Sequence, residues 1–339
     1  MRESADPALI DLLQCPRCGG RPHQKSAREL VCESCGAAYP VDRGVPLMWA
    51  RGSRSSQLEK IDYEALQPVN PDTIKQVYRQ WEPVLARAGG ELGDVLEIGA
   101  GPGILTDALL THSNARSLTA SDVSLKFMRV VEGRFSGRSH FRGAVVCDAN
   151  EVAFREGSFD KVVGRSILHH LIDYPIVLSN VRSMLRPGGA ALFFEPVLEG
   201  KALVSLAFAL ILQFCESTSN PSLSRADLDK IRRVMRHQTK HAWYPQTRDE
   251  LAKIEDKYIF RIADLQKRGR ELGYSDVEFV DSQFRDESYW AFIAHTLRMA
   301  GVDAKAIESF QWIGRAIKES YFRSTYSVPS PMVFFLFRR

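Results

Sequence analysis

The sequence predicts an α/β fold, in which a small metal-binding unit precedes a doubly wound parallel sheet. Two observations predict the sheet. Apolar strand-like runs alternate with segments of helical spacing from Asp94 onward, and the first run, VLEIGAGPG, leads through a glycine-rich turn into a helix. A third observation, two CxxC pairs near the amino end, predicts the metal-binding unit.

Length and composition are those of a globular chain with two or three units. The 339 residues are 45% apolar and 25% charged, and the net charge of +4 requires no polyanionic partner. The amino end, MRESADPALIDLL, is charged and lacks a long apolar core, so we expect no secretory signal there. The longest apolar run, Ala202 to Cys215, is shorter than the roughly 20 residues of a membrane-spanning helix. We therefore expect a cytoplasmic chain with no transmembrane segment.

Four of the six cysteines form two pairs with the spacing of zinc ligands. Cys15 and Cys18 stand in CPRCGG, and Cys32 and Cys35 stand in CESCGAAYPV. Each CxxC places two thiolates on one tight turn, and a hairpin between the pairs can bring both turns around one tetrahedral ion. A cytosolic setting disfavours a disulfide, and two matched pairs disfavour a redox CxxC. Because four protein ligands leave no open position, the predicted zinc is structural.

The stretch from Leu12 to Met48 resembles a known module. Its segments LLQCPRCGG and LVCESCGAAYPVDRGVPLM are similar to the zinc ribbon of the small activator subunit that partners several tRNA, rRNA and protein methyltransferases. We expect the ribbon at 1–50 and a linker at 51–71, where the composition becomes polar with Gly, Ser and Pro. Asp72 is predicted to cap a helix that runs to about Ala88, because apolar residues recur there at helical spacing.

Acidic residues end two of the later predicted strands. Asp122 ends SLTASD, where an acid can accept hydrogen bonds from both hydroxyls of a ribose. Asp148 ends AVVCD, in a position to receive the exocyclic amine of an adenine. A fourth strand begins FDKVVGRSILHHL, and LRPGG is predicted to form a tight turn before a fifth strand, AALFFEP. This alternation predicts that the strands are parallel.

The series resembles the class I S-adenosylmethionine-dependent methyltransferases of the ubiquinone/menaquinone-biosynthesis type. The alternative, a dinucleotide dehydrogenase, would usually show GxGxxG and lacks LRPGG and FDxVV. The resemblance implies a seven-stranded Rossmann-like methyltransferase sheet, with a sixth strand in GRELGYSDVEFVDS and a seventh, antiparallel strand in PMVFFLFRR. It places the cofactor-binding core at 72–197, a helical cap insertion at 198–259, and the rest of the core at 260–339 with a second helical insertion at 284–327.

The resemblance also implies a cofactor site at the ends of the strands. Glu97 and the glycine loop would hold the methionine part, Asp122 would bind the ribose diol, and Asp148 with the amide of Ala149 would read the adenine edge. The other expected contacts are Gly99, Ala100, Gly101 and Gly103 along the glycine loop, Val123 and Cys147 beside the adenine, and Arg165 and Ile167 near the methionine end.

A catalytic base is needed only if the methyl acceptor must lose a proton. His169 and His170 follow the fourth strand and are candidates, since imidazole titrates near neutral pH. Their alternative role is packing against the sheet. His241 and Tyr244, in KHAWYP of the first insertion, are further candidates, as is Glu195 at the end of the fifth strand.

Three hypotheses remain for the acceptor, and the first is preferred. The Asn/Asp-Pro-Pro-aromatic signature of adenine and glutamine N-methyltransferases is absent, and the insertions are apolar, which favours a small-molecule intermediate methylated on O, N or C under a helical cap. The zinc ribbon and the basic segment Arg225 to Lys240 favour rRNA or tRNA instead. The third hypothesis is a substrate delivered on a protein or carrier. All three require S-adenosylmethionine and structural Zn²⁺.

Overall fold

A computed structural model of the chain describes residues 3–49, 70–218, 223–243, 247–281, 288–321 and 329–339. The chain divides into two compact units. The first unit consists of Met1–Phe194, Gln266–Glu278 and Phe335–Arg339, and the second of Glu195–Leu265 and Phe279–Phe334. Nearly all of the predicted linker at 51–71 lies outside the described residues.

The amino-terminal ribbon consists of a short helix and four short strands. The helix begins at its cap, Asp6, whose side chain accepts a hydrogen bond from the Ala8 amide at 2.8 Å. Each strand is antiparallel to the next. The elements are α1 (Pro7–Ile10), β1 (Pro22–Ser26), β2 (Glu29–Cys32), β3 (Ala38–Asp42) and β4 (Val45–Met48).

Strands and helices then alternate as the apolar pattern predicts. A single-turn 3₁₀ helix at Leu168–His170 follows β8. The elements are α2 (Pro71–Arg87), β5 (Asp94–Ile98), α3 (Ile104–His112), β6 (Ser117–Asp122), α4 (Leu125–Phe135), β7 (Phe141–Cys147), β8 (Phe159–Arg165), α5 (Tyr174–Met184) and β9 (Leu185–Pro196).

The second unit is mainly helical, and the chain returns to the sheet after it. Its helices are α6 (Leu198–Thr218), α7 (Arg225–Trp243), α8 (Arg248–Ala252), α10 (Ser288–Met299), α11 (Ala304–Glu308) and α12 (Gln311–Tyr321). The remaining elements are α9 (Ile262–Glu271), β10 (Asp276–Asp281) and β11 (Met332–Arg338).

The sheet has eleven strands among the described residues, in the order β1-β2-β3-β4-β7-β6-β5-β8-β9-β11-β10. The prediction of seven strands was wrong because it treated the ribbon as a separate unit. β4 pairs in parallel with β7, with Leu47 opposite Val146 and Met48 opposite Cys147. The seven strands from β5 to β11 are those that the sequence predicts, and the four ribbon strands extend the sheet at the β7 side.

Several contacts besides the strand pairing hold the ribbon to the sheet. The Gln14 amide donates to the Ala153 carbonyl at 2.9 Å, and Leu13 forms an antiparallel bridge with Phe154. Leu9 packs against Gly143, where an added Cβ would lie 2.8 Å from a leucine methyl carbon. Gly143 also has a φ of +149°, which disfavours other residues. The ribbon is therefore packed within the first unit.

Two local predictions need correction. The helix predicted to start at Asp72 starts at Pro71, because Asn70 is the cap and accepts a hydrogen bond from the Thr73 amide at 2.9 Å. The LRPGG segment does not precede the fifth strand but lies inside β9. Leu185 pairs with Phe159 and Ala190 with Lys161, and the register shift between these pairs accommodates the extra residues.

Helix α6 is longer than the apolar run of the sequence suggests, with 21 residues. Among the described residues, it is the one helix that is long and apolar enough to cross a bilayer. Core helices of soluble proteins can have the same length and apolar composition. One face of α6 is buried in the core of the second unit, together with Ile231 of α7, Ile293 of α10 and Phe310. The opposite face exposes Leu206 and Leu210.

Candidate functional site

The four paired cysteines of the ribbon lie together. Their Sγ atoms are all within 4.8 Å of one another, with Cys15 to Cys35 at 3.7 Å and Cys18 to Cys32 at 3.5 Å. Zinc–sulfur bonds of about 2.3 Å in a tetrahedron put sulfur atoms roughly 3.8 Å apart, so the donor set fits a structural zinc. The buried Tyr39 hydroxyl lies 2.9 Å from Cys15 Sγ and adds a hydrogen bond to the ligand shell.

The second candidate site lies at the carboxyl edge of the parallel strands. β5 lies between β6 and β8, so the strand order changes direction there, and ligands of doubly wound sheets bind at this position. The strand ends are aligned, with Ile98 opposite Ser121 and Asp122 opposite Val146. The acids and glycines expected from the sequence therefore meet at one edge.

The glycine loop after β5 is tied to the acid that ends β6. The Gly101 amide donates a hydrogen bond to Asp122 Oδ2 at 2.9 Å, and the Ala100 amide donates to the Ser121 carbonyl at 3.0 Å. Asp122 Oδ1 accepts from the Ser124 amide at 2.9 Å. Both oxygens accept from backbone donors, which fixes the orientation of the carboxylate.

Gly99 and Gly103 show why this loop needs glycine. Gly99 has a φ of +65°, and an added Cβ would lie 2.6 Å from the Ile167 side chain. Gly103 has a φ of +85°, and an added Cβ would lie 2.9 Å from Val131. The loop therefore lies close to the segment after β8 and to helix α4, and any larger residue would move it.

The pKa of Glu97 is strongly perturbed. Glu97 is buried, and burial raises its pKa to about 8, against the effects of a hydrogen bond from Thr106 and the charge of Arg165. The charge of Asp122 acts in the same direction as burial. Thr106 Oγ1 donates to Glu97 Oε2 at 2.6 Å. A cationic group placed here would favour the ionised form of Glu97.

The loop after β7 forms a turn stabilised by two asparagines. Asp148 Oδ1 accepts from the amide and the side-chain nitrogen of Asn150, at 2.9 and 2.8 Å. Asn180 on α5 donates to the carbonyls of Ala149 and Asn150, at 3.2 and 3.1 Å. The preceding Cys147 is buried, and burial raises the pKa of its thiol to about 12, so it remains protonated.

The segment after β8 carries a strained residue and the histidine pair. Ser166 has a φ of +58°, unusual for a residue with a side chain, and its amide donates to the Phe194 carbonyl at 2.9 Å. His169 is buried, and its ring centroid lies 4.0 Å from that of His170. Ile167 directly follows Ser166 in the sequence, and its side chain lies against the glycine loop at Gly99.

The first unit thus brings together most of the residues expected from the sequence. Val123, half-buried, follows Asp122, and Arg165 is close enough to Glu97 to act on its pKa. Glu195 belongs to the second unit and is buried. His241 lies on α7, but its side chain is outside the described part of the chain, as is the whole of Tyr244.

Sequence reasoning missed Thr106, Asn150 and Asn180. Thr106 stands one helical turn into α3, facing the buried carboxylate of Glu97. Asn150 and Asn180 hold the turn after β7 from two different elements. Asn150 had a detectable signal, since Asp-x-Asn is typical of a side-chain-stabilised turn. No pattern in the sequence indicates that Asn180 reaches that turn.

Comparisons with known families match both parts of the first unit. The family described as "Methyltransferase domain" matches residues 96–193, and "Trm112p-like protein" matches residues 6–44. The chain is 44% identical over 54 residues to a UPF0434 protein of Janthinobacterium, in a match that covers 16% of this chain and 90% of that protein.

Several relatives of the central domain are large fungal synthetases. The hybrid PKS-NRPS synthetase mpsA of Macrophomina phaseolina is 31% identical over 150 residues, which are 41% of this chain and 4% of mpsA. The corresponding synthetase iccA of Talaromyces variabilis is 34% identical over 199 residues, 57% of this chain and 5% of iccA. The chain thus spans less than a tenth of the length of these relatives.

Solved structures are similar at low identity. The complex of the Haloferax volcanii Trm112 methyltransferase activator with a methyltransferase gives a TM-score of 0.47 at 14% identity, covering 82% of this chain and 96% of that chain. Phosphoethanolamine N-methyltransferase 2 of Haemonchus contortus gives 0.49 at 16% identity, covering 89% and 62%. The chain therefore contains a methyltransferase domain at residues 96–193 and a Trm112p-like ribbon at residues 6–44.

Proposed function

We propose that the chain methylates a small-molecule biosynthetic intermediate on oxygen, nitrogen or carbon. The observation that supports the cofactor part is the hydrogen bond from the Gly101 amide to Asp122, which joins the glycine loop to the acid that we propose binds the ribose. When bound, S-adenosylmethionine supplies an electrophilic methyl group on a sulfonium. If the acceptor atom carries a proton, a base of the chain would take it.

The residue roles follow from the positions at the strand ends. Glu97 is proposed to bind the methionine ammonium, with Thr106 fixing its carboxylate. Asp122 is proposed to bind the ribose diol. The turn at Asp148 and Ala149, which Asn180 holds, is proposed to read the adenine edge.

The remaining proposed contacts are Val123 and Cys147 beside the adenine and Arg165 and Ile167 near the methionine end. His169 and His170 remain the candidate general bases of the first unit, because they follow β8 at the carboxyl edge of the parallel strands. Since methyl transfer depends mainly on alignment and exclusion of water, the chain needs no further catalytic group when the acceptor atom carries no proton.

The charges of α7 support a small molecule over RNA. Arg232 contacts Asp229 at 2.8 Å and Glu216 at 2.5 Å, and Lys230 contacts Asp227 at 2.9 Å. Cations that are already paired within the chain have less charge to offer a phosphate backbone. The matched relatives, named as polyketide and hybrid synthetases, also favour a small-molecule product.

Radiolabelled S-adenosylmethionine tests the acceptor class directly. The purified chain is offered total RNA and, separately, a small-molecule extract, both from a strain that lacks the gene. We expect label in the organic extract, at a rate that changes little with salt. An Asp122→Ala variant, which loses the proposed ribose contact, is the negative control.

Two outcomes would contradict the proposal. Label that remains with RNA, disappears on nuclease treatment and falls steeply with salt would assign the chain to RNA methylation. Label that remains with a protein fraction would indicate a carrier-delivered substrate.

A further inference from the structure

Arg134, in the last turn of α4, reaches the glycine loop of the first unit. Its Nη1 atom donates a hydrogen bond to the Pro102 carbonyl at 3.1 Å, and its Nη2 atom contacts Asp107 Oδ2 at 2.9 Å. Pro102 belongs to the loop, and Asp107 lies in the first turn of α3. The guanidinium group therefore connects the loop to the helix that follows it, through two donors in a fixed fork.

The end of α4 also supports the loop through packing. Arg134 Cζ lies 4.9 Å from the ring centroid of Phe135, a buried residue, in a cation–π contact. The same ring lies close to Gly103, where an added Cβ would be 3.1 Å from the Phe135 ring and 2.9 Å from Val131. Since residues three and four apart share a helix face, one face of α4 carries all three of these side chains.

The hydrogen bond from Arg134 supports the half of the loop that β6 does not hold. The amides of Ala100 and Gly101 donate to residues of β6. Gly103 begins α3 with a φ of +85° and no side-chain hydrogen bond at the cap. Pro102 has no amide hydrogen, so its carbonyl is its one backbone group that can form a hydrogen bond. Arg134 is the partner of that carbonyl.

Arg138, just after α4, provides an internal comparison. It also contacts Asp107, at 3.3 Å, and its Cζ lies 5.6 Å from the Phe135 centroid. Its Nη1 atom, however, donates to the Thr111 hydroxyl at 2.8 Å and not to the loop. Ion pairs of partly exposed arginines contribute little to stability, and the Arg134 side chain is 30% exposed. The two arginines thus differ mainly in the contact with the loop.

We propose that Arg134 is a positioning residue that holds the glycine loop in the conformation that binds S-adenosylmethionine. The inference rests on the proposed cofactor site and adds a residue that acts through the loop. A loop that is already ordered in the free chain loses less conformational entropy when a ligand binds. Without Arg134, binding would have to order the loop. The cost falls on cofactor affinity and not on methyl transfer, because the loop is ordered once the cofactor is bound.

The first test follows the free loop in the full, zinc-loaded chain. Amide hydrogen exchange in peptides that contain residues 99–103 is compared for the wild type, Arg134→Met, Arg134→Gln and Arg138→Met. Both Arg134 variants should exchange faster in these peptides, because the loop opens more often, whereas Arg138→Met should exchange as the wild type does. The three variants should have similar Tm values. Unchanged exchange in both Arg134 variants, or faster exchange along the whole chain, would overturn the inference.

The second test measures cofactor affinity in the same four proteins by calorimetric titration. The Arg134 variants should bind S-adenosylmethionine about 3- to 10-fold more weakly, the range for one partly exposed hydrogen bond, and Arg138→Met should bind as the wild type does. With the acceptor found in the labelling experiment, the KM for S-adenosylmethionine should rise by the same factor, and kcat at saturating cofactor should not change.

Equal affinity in all four proteins, or a loss confined to kcat, would overturn the inference and leave the proposed function intact. A wild-type chain that binds no S-adenosylmethionine would refute the proposed function. The exchange experiment would then decide by itself whether Arg134 holds the loop.

Discussion

At the residue scale, the proposed contact of Glu97 with the methionine ammonium predicts that cofactor affinity depends on pH. The pKa of Glu97 is raised from 4.5 to about 8, first by burial, so the carboxyl group is mostly protonated at pH 6. Binding of an ammonium requires the carboxylate. S-adenosylmethionine affinity should therefore rise with pH between 6 and 8, by about tenfold per unit at most. Calorimetric titration across this range measures the slope.

A Glu97→Gln variant provides the control, since it should bind weakly with no slope over the same range. The folding stability of the cofactor-free chain should show the opposite pH dependence. Below pH 4.5 the folded and unfolded states both hold the proton, and between 4.5 and 8 only the folded state keeps it, so this residue's contribution to stability decreases as pH rises. An affinity independent of pH would remove Glu97 from the ammonium site.

Tyr39 is expected to control how firmly the ribbon holds zinc. Its hydroxyl contacts Cys15 Sγ, and partners of metal ligands commonly contribute about 10- to 100-fold in affinity. Tyr39→Phe should therefore lose zinc faster to a colorimetric chelator while the chain remains folded. Tyr78→Phe, a tyrosine on α2 away from the cysteines, is the matched control. Equal rates of zinc loss for both variants would contradict this role.

At the scale of elements, the glycine loop is the segment most sensitive to substitution. Gly99→Ala would combine a left-handed φ, which costs about 1–2 kcal/mol, with a contact to Ile167. This strain should lower the folding equilibrium by about 5- to 30-fold. Because the added methyl group also displaces the loop, S-adenosylmethionine affinity should fall as well. Gly133→Ala, on α4 with no atom within 4 Å of the added Cβ, should bind as the wild type does. Equilibrium dialysis measures both.

Individual strands, helices and loops differ in how well they could be predicted from the sequence. The order of strands and helices was predictable because apolar spacing is a local property of the sequence. The positions of the glycine loop and Asp122 were predictable because backbone geometry restricts the residue types there. The Asn70 cap was missed because Asp72, two positions later, is an equally good capping residue. The position of LRPGG inside β9 depends on its register with β8, which no local pattern specifies.

At the scale of the molecule, the sequence predicted two modules but not their common sheet. The pairing of β4 with β7 joins residues about 100 positions apart, at Leu47 and Val146, and long-range register depends on packing that spacing does not reveal. The contact matters for the site, because Met48 pairs with Cys147, next to Asp148. The ribbon is thus paired with the strand that leads into the turn at Asp148 and Ala149, where we propose that adenine binds.

This coupling predicts that zinc supports cofactor binding at a distance. Fifty residues form little core without metal, so removing zinc should unfold the ribbon and release β4 from β7. Chelation, or Cys18→Ser, should weaken S-adenosylmethionine binding, and added zinc should restore it after chelation only. Cofactor affinity is measured by titration and ribbon structure by circular dichroism. Unchanged affinity in a chain shown to be zinc-free would contradict the coupling.

The pairing of β4 with β7 has one more consequence, because both strands belong to a single chain. A separate ribbon would have to find the sheet by diffusion, and its occupancy would fall on dilution. Here the two are covalently joined, and a covalent connection commonly keeps partners at an effective concentration in the millimolar range. Assembly of the sheet is therefore independent of protein concentration, and the stoichiometry of ribbon to catalytic domain is fixed by translation.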